Sequence, residues 1–174
     1  GWFVRMNGRL YERAAALRAG RRPRDLYHSA LELWTGGERY VIEMAPVWND
    51  SSAERGVVAE GAVGTRRAGR LRLLRYEIRC WRNGRIPDMA EAVGGVRHLS
   101  SDPGRAAEML RRVHEVPLLV WGRDEAGTGD MWNSNSLISW LVVTCGLDQG
   151  RAVPPAGGRA PGWAAGLEIA RRTQ

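Results

Sequence analysis

The stretch LYHSALELWTGGERYVIEM, residues 26–44, decides the fold. From Tyr27 to Trp34 the side chains alternate. Tyr27, Ser29, Leu31 and Leu33 fall on one side, and His28, Ala30, Glu32 and Trp34 on the other, which predicts a strand. Thr35-Gly36-Gly37-Glu38 follows as a hairpin turn. Arg39 to Met44 contains the β-formers Tyr40, Val41 and Ile42 and reads as the partner strand.

Upstream, Trp2 to Met6 reads as a short strand, Asn7-Gly8 as a turn and Leu10 to Leu17 as a short helix stopped before Pro23. Downstream, Pro46 to Ser52 is a loop and Gly56 to Val63 is weakly strand-like. Thr65 to Arg70 is polar and reads as exposed. Leu71 to Trp81 is a long strand candidate closed by Asn83-Gly84, and Met89 to Val93 a helical turn.

Ser100-Ser101-Asp102-Pro103 marks a helix start, with a capping residue before a first-turn proline. That helix is expected to reach about His114, with Met109, Leu110 and Val113 on its apolar face. Leu118 to Trp121 reads extended, and Gly122 to Asp130 as a Gly-rich loop. From Asn133 or Ser134 to Cys145 a buried helix is expected, because Leu137, Ile138, Leu141 and Val142 fall on one face. Gly146 is its natural stop. A Pro/Gly-rich loop over 149–162 precedes a short helix over Gly166 to Arg172.

The chain has 174 residues and a net charge of +7. That length suits a single domain over 1–174. All the basic side chains are arginine, as a GC-rich, bacterial coding preference would give. The arginines are scattered and no aromatic-interleaved basic run occurs, which argues against nucleic acid as the partner. No stretch approaches the ~20 apolar residues of a membrane span. Cys80 and Cys145 match no metal or redox spacing. They read as core thiols in a reducing, cytoplasmic setting. The sequence opens with Gly rather than Met, which allows for a processed start.

Two residue types carry chemistry. His28 sits in the first strand of the hairpin, and Ser134 opens the late helix in MWNSNSLISWL. A hydroxyl needs a base within hydrogen-bond reach to act as a nucleophile, and imidazole serves that role near neutral pH. A helix N-terminus offers unpaired N–H groups for a developing oxyanion. Plainer readings stand beside these: Ser134 as a helix cap, and His28 as a half-buried strand histidine. His98 and His114 have no ligand-spaced partners, so no metal is expected, and chemistry by Ser134 and His28 needs no cofactor.

The order of these motifs resembles the circularly permuted papain-fold families. Leu26-Tyr27-His28-Ser29-Ala30-Leu31 with Gly36-Gly37 is similar to the histidine motif of the PPPDE thiol peptidases. Asn133-Ser134-Asn135-Ser136-Leu137 is similar to their nucleophile motif, with Ser where Cys is expected. The lecithin retinol acyltransferase group is a more distant likeness.

The resemblance implies an α+β, permuted papain-like fold, with an antiparallel sheet packed against a buried nucleophile helix. It implies Ser134 as nucleophile, His28 as base and Glu43 as the group that orients the imidazole; Glu32 and Asp130 are the second and third choices for that role. The Ser134 N–H is the expected oxyanion donor, with Asn133 and Asn135 as possible helpers or caps. Trp132 and Trp121 are expected to wall a substrate groove or to belong to the core.

The function expected on this basis is hydrolysis of acyl compounds, either a small-molecule ester or a peptide or protein amide. The serine also leaves open a non-catalytic binding domain, or an inactive form of a cysteine enzyme, because a thiol ionises far more readily than an alcohol.

Overall fold

The computed structural model describes residues 28–47, 56–84, 86, 96–147, 149–152 and 159–173. The expected strand Trp2 to Met6, the helix Leu10 to Leu17 and the turn Met89 to Val93 lie outside the described residues.

The hairpin forms as its sequence predicts. Strand β1 covers Leu31–Thr35 and β2 covers Glu38–Pro46. They pair antiparallel from Leu31↔Ile42 to Thr35↔Glu38. Gly36 and Gly37 turn the chain with φ of 60° and 78°. Two consecutive positive φ angles match the twist of a tight hairpin, and glycine adopts them without a Cβ clash.

Strand β1 starts later than its alternation suggests. His28, Ser29 and Ala30 precede it as irregular chain. Strands β3, Val57–Ala62, and β4, Arg75–Arg82, complete a four-stranded sheet in the order β1-β2-β4-β3. All neighbouring pairs are antiparallel. The expected long strand from Leu71 is shortened, because Arg72–Leu74 forms a 3-10 turn before β4.

Among the described residues three α-helices complete an α+β architecture. Helix α1 spans Pro103–Arg112, α2 Ser134–Thr144 and α3 Trp163–Arg172. In α1, Asp102 caps the first turn by accepting from the Gly104 N–H at 2.8 Å. Helix α2 is buried all round, with every residue from Ser134 to Val142 inside. Such a helix belongs inside a core rather than on its surface. Gly146 ends it with φ of 65°.

The core lies between one sheet face and the helices. Leu31, Leu33, Ile42, Met44, Tyr76 and Ile78 meet Met109 and Val113 of the α1 region. Trp132, Leu137, Leu141 and Ile169 fill the remaining volume. Each fully buried aliphatic side chain contributes roughly 2 kcal/mol relative to exposure. Helices α2 and α3 approach closely, since a Cβ on Gly166 would overlap Ser139 Oγ and the Ser136 carbonyl.

The opposite sheet face carries charge. Glu43 and Arg79 are register partners on β2 and β4, and both are buried. Arg79 donates to Glu43 Oε1 at 3.2 Å and to Glu77 Oε2 at 2.8 Å.

Candidate active site

The site begins with the cap of α2. Asn133 is extended, and its Oδ1 accepts from the N–H groups of Asn135 at 2.9 Å and Ser136 at 3.4 Å. Ser136 Oγ accepts in return from the Asn133 N–H at 3.0 Å. This reciprocal box satisfies donors that a helix start otherwise leaves open. Ser134 is the first helical residue, so its own N–H has no intrahelical partner. Among the described residues that N–H makes no backbone or side-chain hydrogen bond.

His28 and Ser134 meet. His28 Nδ1 lies 2.6 Å from Ser134 Oγ, across 106 residues of sequence. The Ser134 side chain is buried, and it sits at the positive end of α2, where partial positive charge favours a developing anion. With Nδ1 on the hydroxyl, Nε2 is the ring nitrogen that an orienting acceptor would take.

Each of the three acids considered for that orienting role makes hydrogen bonds within the fold. Glu43 shares its ion pair with Arg79 on the sheet face opposite Ile42 and Met44. Glu32 accepts from Arg39 at 2.9 Å and from the Trp34 indole at 3.1 Å. The Arg39 hydrogen bond holds its carboxyl below the ordinary glutamate range. Asp130 accepts from the Gly162 N–H at 2.6 Å and the Met131 N–H at 3.1 Å. Burial nevertheless pushes the Asp130 carboxyl up.

The expected substrate contacts resolve into structure. Asn133 Nδ2 and Asn135 Nδ2 each donate to the Pro161 carbonyl at 2.8 Å. Both amides therefore hold the helix start to the C-terminal segment. Trp132 is 1% exposed and is a core side chain, so of its two expected places the groove wall is the one the structure does not give it. Trp121 is half-buried and stands edge-on to Tyr76, with ring centroids 5.8 Å apart. Burial pushes the Tyr76 hydroxyl up to about 12; it donates to the Leu119 carbonyl at 2.7 Å.

The sequence did not reveal what the segment from Pro161 to Trp163 does. Ser136 Oγ donates to the Gly162 carbonyl at 2.7 Å, and Ser139 Oγ to the Trp163 carbonyl at 2.9 Å. Gly162 caps α3 with φ of 91°, and a Cβ there would overlap the Asn133 amide. The run of small polar residues Asn133, Asn135, Ser136 and Ser139 on an otherwise apolar helix is the signal that could have predicted this, since buried polar groups require partners.

The arrangement brings an exposed imidazole from the chain before β1 against an alcohol at the buried start of α2. Comparison with family models, with curated proteins and with solved structures finds no match to this chain.

Proposed function

We propose that the chain is a hydrolase of acyl compounds, acting on ester or amide bonds through a Ser134–His28 dyad on a permuted papain-like scaffold. The observation that carries this reading is the 2.6 Å contact between His28 Nδ1 and Ser134 Oγ at the buried start of α2. The packing of α2 against an antiparallel sheet supports the scaffold.

The chemistry follows from the geometry. His28 Nδ1 takes the hydroxyl proton as Ser134 Oγ bonds to the substrate carbonyl carbon. Negative charge moves to the carbonyl oxygen, where the Ser134 N–H donates to it. The imidazolium then returns the proton to the leaving alcohol or amine, and the carbon–leaving-group bond breaks. Water repeats the sequence, with His28 as base, and releases the acid and the serine.

Turnover of activated esters and amides tests this. Wild type is expected to hydrolyse at least one class. Ser134→Ala and His28→Ala are each expected to lower turnover by about 10³-fold or more. No turnover across both classes by folded protein would favour a binding domain, the reading to which the serine at this position also points.

A further inference from the structure

We infer that the β3–β4 loop is a docking tip for an anionic lipid bilayer. The loop holds two 3-10 turns, Ala68–Arg70 and Arg72–Leu74. Its leucines face solvent: Leu71 is 64% exposed, Leu73 76% and Leu74 39%. Arg67, Arg70 and Arg72 are exposed among them. Among the described residues no acid pairs with these three arginines, whereas Arg66 and Arg75 pair with Glu125 and Glu60.

Three exposed leucines within four residues carry a cost in water and call for a cover. Arginines interleaved with them fit an anionic interface, where leucines enter the acyl boundary and guanidinium groups stay at the phosphates. A nucleic-acid backbone would use the arginines but give the leucines nothing to contact. A stable protein partner covers about 800 Å² on each side, more than so short a tip offers. A bilayer needs only the tip.

The tip shares one end of the sheet with the dyad. β1 starts at Leu31 opposite Ile42, β2 ends at Pro46 opposite Tyr76, and β3 ends at Ala62 opposite Arg75. Strand β1, which His28 precedes, lies two strand spacings, roughly 10 Å, from β4. The Val63 N–H donates to the Leu74 carbonyl at 2.8 Å and closes the base of the loop. Gly64 donates to the Trp121 carbonyl and Gly122 to the Trp132 carbonyl, each at 2.9 Å, which ties the loop to the chain entering α2. Docking at this tip would bring Ser134 close to the membrane surface. The proposal does not require Ser134 to be catalytic.

Sedimentation of the full chain with phosphatidylcholine vesicles, with and without phosphatidylglycerol, tests it at low and high salt. Binding to the anionic vesicles is expected, weakened by salt and absent on neutral ones. Leu71→Ser/Leu73→Ser is expected to weaken it by about tenfold or more. Arg67→Gln/Arg70→Gln/Arg72→Gln is expected to weaken it by about a hundredfold. Ser134→Ala is expected to bind as wild type, which separates docking from chemistry. Wild-type circular dichroism and thermal unfolding in each variant would exclude misfolding, since the altered side chains are exposed. No partition onto anionic vesicles, or equal partition by the leucine variant, overturns the proposal. So does duplex DNA binding that is insensitive to the leucines and exceeds vesicle binding.

Discussion

Asn133 Nδ2 donates to the Pro161 carbonyl at 2.8 Å, so the cap of α2 is also its tie to the C-terminal segment. The same side chain caps through Oδ1 and clamps through Nδ2. Asn133→Ala removes both functions. A loss of about 2 kcal/mol in unfolding free energy is expected, measured by denaturant titration. Turnover of the folded fraction should also fall, because the cap positions Ser134.

Glu43 serves a different prediction. It is buried against Arg79 on the far face of the sheet. Glu43→Gln should lower the unfolding midpoint while leaving the turnover of folded protein close to wild type. Loss of a true orienting carboxylate instead lowers turnover by about 10⁴-fold. Paired unfolding and kinetic measurements distinguish these outcomes.

Asp130 makes stability depend on pH with a definite sign. Burial raises its carboxyl above the ordinary aspartate range, against hydrogen bonds from Gly162 and Met131 and the charge of Arg159. The folded state thus holds the proton more tightly than the unfolded chain. Its favourable contribution is present below the unfolded pKa and is lost as pH rises through the folded pKa. Asp130→Asn keeps an acceptor for Gly162 and removes the titration. The stability of the variant relative to wild type should therefore increase as pH rises through that window and level off above it. Unfolding titrations across the acidic range check the direction.

Ser134→Cys tests the electrostatics of the dyad. Burial raises the Cys80 thiol and pushes Cys145 up to about 11, so both react slowly in the native protein. A thiol at 134 would lie beside His28 Nδ1 at a helix start, which favours the thiolate. Iodoacetamide at about pH 6 should modify the introduced thiol first. Adding His28→Ala should slow that modification by about tenfold or more.

What the sequence disclosed was local. The glycine pair Gly36-Gly37 and the β-branched run after it specify the hairpin without outside help. The apolar residues around α2, with Asn133 before them and Gly146 after, specify a buried, capped helix. The start of β1 was less legible, because alternation continues through His28 to Ala30 even though the chain is not yet in the sheet. Leu71 to Leu74 read as strand from apolar content, but those side chains face solvent.

Tertiary partners were the least visible. Nothing near Glu43 in sequence announces Arg79, its neighbour across β2 and β4. Nothing near Asn133 announces Pro161. The meeting of His28 with Ser134 was anticipated from a resemblance between motifs, not from the physics of either segment alone.

The most direct test is covalent capture. Folded wild-type protein is incubated with a fluorophosphonate, and the adduct is located by peptide mass spectrometry. One phosphonate on Ser134 is expected, lost in Ser134→Ala and strongly slowed in His28→Ala. Unmodified Ser134 in protein that remains folded, across probes of differing acyl-chain length, would contradict it.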